Sequence, residues 1–275
     1  MILTKSIKEY CQERKNQIKE YIASRSDWEI CPPKLAVIQV GNVEASNRYI
    51  KNKKKDCEEV GIKFEWYHFD ETITQEELIF EIQNLNPFVD GLIVQLPLPD
   101  HINLDGIKNA IDPHKDVDGF GLLSLFDPCT PLGIYLYLMN GCGYNFCGKH
   151  VVIIGRSDIV GKPMAQILTD ADATVTLCHS KTADLQRHIK AADLIICAVG
   201  KANFLDCSNI YVPVIDVGIN FDENGKLVGD CYNTMGKDVT PVPGGVGLLT
   251  RVELLANTIA AAQYRPNGKA GNGND

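Results

Sequence analysis

The chain has 275 residues, 45% of them apolar, which is long for one core and comfortable for two domains. Its 27 basic residues stand against 35 acidic ones, a net charge of −8 that argues against general nucleic-acid binding. The N-terminal MILTKSIKEYCQERKNQ is charged within its first turns, and no span approaches the roughly 20 apolar residues of a membrane helix, so a soluble, cytoplasmic protein without a membrane partner is expected.

Residues 2 to about 25 set Ile2, Leu3, Ile7, Tyr10, Cys11, Ile18 and Tyr21 among charges, an amphipathic helix that ends before Pro32 and Pro33. LAVIQVG at 35–41 is apolar, β-branched and closed by glycine, the pattern of a buried strand. The next stretch, ASNRYIKNKKKDCEEVG from Ala45 to Gly61, is the most informative of the chain. At about 100° per residue Tyr49, Ile50, Cys57 and Val60 share one side of a helix, and Lys53 sits in the middle of that stripe. Lys51, Lys54, Lys55, Glu58 and Glu59 point elsewhere, and Asp56, Glu58 and Glu59 are expected to balance the KNKKK run. Burial disfavours an ammonium, so an inward lysine is either paired or held for chemistry. A snorkelling lysine, stem on the core and head in water, is the alternative, and the pattern alone favours it.

KFEWYHF at 63–69 is a second strand, Thr74 and Glu77 form a capping box for a helix through Asn86, and GLIVQLPLP at 91–99 reads as a third strand, apolar except for Gln95. Strands alternating with helices indicate a parallel sheet with ligands beyond the carboxyl ends of its strands, where Lys53 and Gln95 both fall. IDPHKDVDGFG at 111–121 is a turn-rich loop. Its Asp116 and Asp118 alternate as in a metal loop, but no further ligand completes one, and the spacing by itself favours a structural Asx turn. A helix follows from Pro131, then a loop at 141–148 taken as the domain boundary.

The second half opens with HVVIIGRSDIVGKPMAQIL at 150–168: strand, tight turn and helix start, the arrangement that holds a phosphate. Gly155 and Gly161 depart from GxGxxG, with Ser157 at the middle position, and an ordinary strand-to-helix turn is the alternative. ATVTLCHS at 173–180 is the next strand. It ends in His179 and Ser180 rather than the acidic residue that binds ribose hydroxyls, and with Arg156 in the turn this favours NADP over NAD. LIICAVG at 194–200 and VPVIDVG at 212–218 add strands. TPVPGGVGLLT at 240–250 reads as a rigid irregular loop, Arg251 to Tyr264 as a last helix, and RPNGKAGNGND as a disordered tail. Ten cysteines without a CxxC pair read as reduced, mostly buried thiols, and no His, Cys or carboxylate cluster has metal-ligand spacing. The fold class is therefore α/β, two parallel-sheet domains of which the second is a Rossmann-like dinucleotide-binding domain.

Over nearly its whole length the chain resembles the bifunctional methylenetetrahydrofolate dehydrogenase/cyclohydrolase family. The motifs VGNVEASNRYIKNKKK, GLIVQLPLPDHI, KDVDGF, PCTPLGI, GRSDIVGKPMA, ATVTLCHSKT, DVGIN and TPVPGGVG stand in the family's order. The resemblance implies a catalytic, folate-binding domain over 1–122 completed by a C-terminal helix at 250–265, an NADP-binding domain over 140–248, a folate in the cleft, and a homodimer. By position it makes Lys53 the catalytic lysine, Gln95 its partner, Tyr49 the folate-stacking tyrosine and Asp118 the pterin-binding aspartate. This reverses the readings that the lone spacings favour. Pro243 and Gly244 would line the folate site, and Gly155, Arg156, Ser157, Ser180 and Ile219 the cofactor site, with no metal. Glu44 replaces a common proline, which is expected to loosen the loop before the helix, and Leu248 and Leu249 replace the usual Pro-Met, which touches the shape of the folate pocket. Two other classes compete. An amino-acid dehydrogenase would need groups to clamp an α-carboxylate, whereas the apolar VQLPLP and PGGVG walls suit a flat heterocycle. A non-catalytic dinucleotide sensor would have no use for an internal lysine and glutamine.

Overall fold

Residues 2–265 are described by the computed structural model; the tail expected to be disordered, 266–275, lies outside them. In chain order the elements are α1 (Ile7–Ala23), α2 (Ser26–Ile30), β1 (Lys34–Val40), α3 (Glu44–Val60), β2 (Lys63–Phe69), α4 (Gln75–Leu85), β3 (Gly91–Val94), α5 (Leu104–Ala110) and α6 (Cys129–Leu136). There follow β4 (His150–Ile154), α7 (Gly161–Asp170), β5 (Thr174–Cys178), α8 (Leu185–Ala191), β6 (Leu194–Cys197), β7 (Leu205–Asp206), β8 (Val214–Asp216), β9 (Asn220–Phe221), β10 (Leu227–Val228), β11 (Cys231–Tyr232) and α9 (Val246–Gln263). They form two compact units, neither contiguous in sequence: Arg14–Asp127 with the chain from Leu254 onward, and Met1–Glu13 with Pro128–Glu253.

The first unit is built on a three-stranded parallel sheet of order β2-β1-β3. β1 is buried on both faces, as a central strand between helical layers must be. Ala36, Ile38 and Val40 pack on Leu78 and Ile82 of α4 and on Ile107 and Ala110 of α5. The capping box at Thr74 is complete, its side chain accepting from Glu77 N and Glu77 returning a bond to Thr74 N. The third strand is shorter than its apolar run suggests. It stops at Val94, because the prolines at 97 and 99 carry no N–H for a ladder, although Gln95 N still donates to Ile38 O at 2.8 Å. The acidic residues of α3 offset the charge of the KNKKK run, and two of them also reach another helix: Asp56 and Glu59 pair with Lys15 of α1, while Glu58 faces Lys54 at 3.8 Å. A half-buried Lys15 beside a buried aspartate makes a stronger pair than exposed helix neighbours do, and those two carboxylates hold its pKa above the ordinary value against the opposing effect of burial.

The second unit has a four-stranded parallel sheet, order β5-β4-β6-β8, with β4 central as the first strand of a Rossmann-like half. Val152, Ile154, Ile195, Cys197 and Val214 form its core with Ile189 of α8. All ten cysteines are free, and Cys178, Cys197, Cys207 and Cys231 belong to this one core. The region 240–250 is irregular only to Gly245; the last helix begins at Val246, five residues before the expected Arg251. Leu249, at a family departure, is fully buried, and a Cβ on Gly133 of α6 would meet its backbone and Cβ at 3.0 Å, so it is a core residue of this unit.

Candidate functional site

In the three-stranded unit, α3 turns Ile50, Cys57 and Val60 into the core, with Tyr49 and Lys53 half-buried along the same stripe. Burial, with the Asp56 carboxylate next in weight, pushes the Cys57 thiol up to about 12, which leaves it an inert filler of that stripe. Lys53 Nζ donates to Gln95 Oε1 at 3.0 Å. The amide is held from its other end, because Gln95 Nε2 donates to Leu96 O at 2.9 Å, a carbonyl that also accepts from Ser46 Oγ at 3.2 Å. This bond fixes which end of the amide faces the lysine, so Gln95 presents an acceptor and Lys53 a donor. The helix and the end of β3 are thereby tied at the carboxyl edge of the sheet.

A second polar chain, signalled in the sequence only by a glutamine inside the run LAVIQVG, reaches the start of α3. Trp66 Nε1 donates to Gln39 Oε1 at 3.2 Å, Gln39 Nε2 to Asn47 Oδ1 at 2.7 Å, and Asn47 Nδ2 to Asn42 Oδ1 at 2.7 Å. The loop before the helix, which the missing proline at Glu44 was expected to loosen, is tied by this chain instead.

The two aspartates of KDVDGF differ in kind. Asp116 is 2% exposed, and its carboxylate accepts from Phe120 N at 3.0 Å and Gly121 N at 2.7 Å, four and five residues on, so it closes the loop over a longer span than the Asx turn its spacing suggested. Burial raises its pKa, opposed by those two N–H donors. Asp118 is half-buried, and among the described residues no protein donor occupies its carboxylate. Asp116 shapes the loop; Asp118 is the carboxylate left available on it.

In the four-stranded unit, Gly155 closes β4 at φ +120°, its N–H bonded to Cys178 O of β5 at 2.9 Å. A Cβ on Gly155 would lie 2.1 Å from Ala198 O, and one on Gly161 would lie 2.0 Å from Gly155 O, so strand end, turn and helix start close on each other where only glycine fits. Ser157 Oγ accepts from Val160 N at 3.2 Å and Gly161 N at 3.4 Å and so ties the turn to the start of α7, whose N-cap Val160 carries no side-chain cap of its own. The N–H groups of Arg156 and Ser157 meet no protein acceptor among the described residues, and these donors beside an exposed guanidinium suit a phosphate. Past β5, His179 N donates to Thr182 Oγ1 at 2.8 Å and Lys181 N to His179 Nδ1 at 3.1 Å, a tight turn with Ser180 exposed at its tip and no carboxylate. A dinucleotide carrying a 2′-phosphate fits this lining. Ile219 is exposed and follows β8; Pro243 and Gly244 (φ +95°) lie in the turn before α9 and belong to this unit. Among the described residues no group of His, Cys, Asp or Glu is arranged to hold a metal ion, and no helix is long and apolar enough to cross a membrane.

Residues 4–118 match the tetrahydrofolate dehydrogenase/cyclohydrolase catalytic domain, and residues 128–266 match the NAD(P)-binding domain of the same family. The chain belongs to this family. It is 45% identical to the bifunctional protein FolD of Lysinibacillus sphaericus over 94% of this chain and 96% of that one. The crystal structure of the bifunctional FolD methylenetetrahydrofolate dehydrogenase/cyclohydrolase of Campylobacter jejuni superposes with a TM-score of 0.87 at 44% identity, covering 94% of this chain and 97% of that one. The Trypanosoma brucei dehydrogenase-cyclohydrolase, complexed with NADP cofactor and inhibitor, gives a TM-score of 0.86 at 31% identity, covering 93% and 95%. In a family with a dinucleotide-binding domain, the two edges described above are where its two ligands are to be sought.

Proposed function

We propose that the chain oxidises 5,10-methylenetetrahydrofolate to 5,10-methenyltetrahydrofolate and hydrolyses that product to 10-formyltetrahydrofolate. The reading rests on the lysine held by a fixed amide acceptor at the carboxyl edge of the three-stranded sheet, in a chain whose other sheet ends in a glycine turn with two available N–H donors. Bound at that turn, NADP supplies the hydride acceptor. Gly155, Arg156 and Ser157 hold its phosphates, Ser180 with Arg156 selects the 2′-phosphate, and Ile219 borders the nicotinamide. Tyr49 stacks on the pterin and Asp118 accepts its N–H groups.

Loss of hydride from the bridge carbon gives a cation already stabilised by its two nitrogens, so this reaction needs position rather than a strong base. Hydrolysis is different. Water adds to the methenyl carbon, one of its protons is released, and the N5–carbon bond breaks as the remaining hydroxyl proton is passed to N5 and the carbonyl forms, leaving the formyl group on N10. Lys53 moves those protons, and Gln95 keeps its nitrogen aimed. The catalytic part is 1–122 with 250–265, the nucleotide part 140–248, and the molecule acts as a cytoplasmic homodimer. The test is spectrophotometric: NADPH formation from methylenetetrahydrofolate, and loss of methenyl absorbance without nucleotide, both by one purified protein. A protein active on an amino-acid panel and inert to both folates would sink the reading.

A further inference from the structure

We propose that Asp230 is the positioning residue for the nicotinamide half of the dinucleotide, a role that rests on the functional reading above. Its side chain is fully buried and gathers four donors from two separate turns. Oδ2 accepts from Val199 N at 2.6 Å and Gly200 N at 3.0 Å; Oδ1 accepts from Lys201 N at 2.9 Å and from Asn220 Nδ2 at 2.9 Å. The first three belong to the turn after β6 and the last to the segment after β8, and β6 and β8 are neighbours in the sheet. A second carboxylate extends the system. Asp216 Oδ1 accepts from Asp230 N at 2.9 Å and Gly218 N at 3.0 Å, Oδ2 accepts from Cys231 N at 3.0 Å, and Asp216 N donates to Thr240 Oγ1 at 2.8 Å.

Two consequences follow for a ligand lying beyond the carboxyl ends of these strands. Ile219 is clamped from both sides, since the preceding Gly218 is held by Asp216 and the following Asn220 by Asp230. The turn at 199–201, meanwhile, has all three N–H groups turned onto a carboxylate, so it cannot bind an anion although it is a glycine turn at a strand end. The phosphates are thereby left to the turn at 155–157, and the turns after β6 and β8 shape the nicotinamide end. Two glycines are required sterically: a Cβ on Gly218 would sit 2.3 Å from Asp230 Oδ1, and one on Gly229 would sit 1.9 Å from Asp216 Oδ2. So closely filled a network transmits any change at Asp230 to both turns.

Asp230→Asn keeps the shape but sets an NH2 group against two donors in either orientation. NADPH fluorescence titration of the full chain without folate is expected to show about tenfold or weaker binding, as for one lost charge-assisted hydrogen bond. Methenyl hydrolysis, assayed without nucleotide, is expected to stay within about twofold of wild type. A variant that melts like wild type and binds NADPH normally overturns the proposal. Should Asp230→Asn fail to fold, Asn220→Ala removes one of the four bonds from a partly exposed position; it is expected to weaken NADPH binding about threefold with hydrolysis retained, and unchanged binding overturns the proposal equally. Wild-type protein that binds no dinucleotide at all would instead overturn the functional reading on which this one stands.

Discussion

Lys53 and Gln95 show how much one hydrogen bond decides. Because the amide is anchored through Nε2 to Leu96 O, its oxygen is committed to the lysine, and replacing the lysine removes the proposed proton carrier without moving its support. Lys53→Met keeps the stem volume on a stripe already made of Ile50, Cys57 and Val60, so the fold should hold. Methenyl hydrolysis should fall by roughly two orders of magnitude or more, as expected for loss of a general acid–base group, and NADPH formation should fall much less. Equal loss of both, in a variant with a normal melting curve, would recast Lys53 as a positioning group. Ser180 offers the complementary test on the nucleotide. At the exposed tip after β5, Ser180→Asp would add the carboxylate that binds ribose hydroxyls and repels a 2′-phosphate, so the ratio of kcat/KM for NADP to that for NAD should fall by at least about tenfold. A ratio unmoved by the substitution would take Ser180 out of the cofactor site.

At the scale of elements, what was legible in the sequence was local. The stripe of α3 and the capping box of α4 repeat within one or two helical turns, and the structure returns both. Where the reading missed, partners distant in sequence decided. The run at 91–99 is apolar except for Gln95, but periodicity cannot tell a strand from an apolar turn, and the prolines ended the ladder at Val94. The start of α9 was hidden because Pro241, Pro243, Gly244 and Gly245 before Val246, and Gly247 just after it, read as one loop through the point where the helix begins. Asp56 was legible only as local charge balance, because Lys15, with which it pairs, lies 41 residues earlier, and Asp230 gave no signal because its donors lie 10 to 31 residues away. Gln39 is intermediate: a glutamine in a buried strand announces an obligation without naming the partner. Gln39→Leu should leave the sheet intact, free Asn47 and the loop from Asn42, and cost about 1 kcal/mol, since Trp66 is exposed enough to turn to water. Its functional mark should be a raised KM for folate with unchanged NADPH affinity, measured by steady-state kinetics and titration; a wild-type folate KM would show that the chain of amides serves stability alone.

At the scale of the whole molecule, the end of the described chain acts as a clasp. Arg265 binds the buried Asp90 through Nε at 2.6 Å and through Nη2, and reaches Cys31 O at 2.8 Å and Pro32 O at 2.9 Å. Asp90 also accepts from Lys34 N at 2.7 Å, so the entry to β1, the entry to β3 and the end of α9 meet at one carboxylate. Arg265→Ala would leave that carboxylate buried and short of a cation, at a cost of about 2–3 kcal/mol given that the guanidinium keeps some contact with water. Calorimetry should show a melting point lower by roughly 5–10 °C, and a shift below one degree would show that the neighbouring carbonyls, not the ion pair, carry the clasp.

The division of the units along the chain also sets a timetable for synthesis. The sheet of Arg14–Asp127 leaves the ribosome without Leu254, Leu255 and Ile259, which are buried in the finished protein, and without Asn257, whose amide bonds Val117 O at 3.0 Å. At ordinary elongation rates these arrive roughly ten seconds later. Through that interval the nascent sheet lacks its last helix and its clasp, which makes it the portion on which a ribosome-bound chaperone has longest to act.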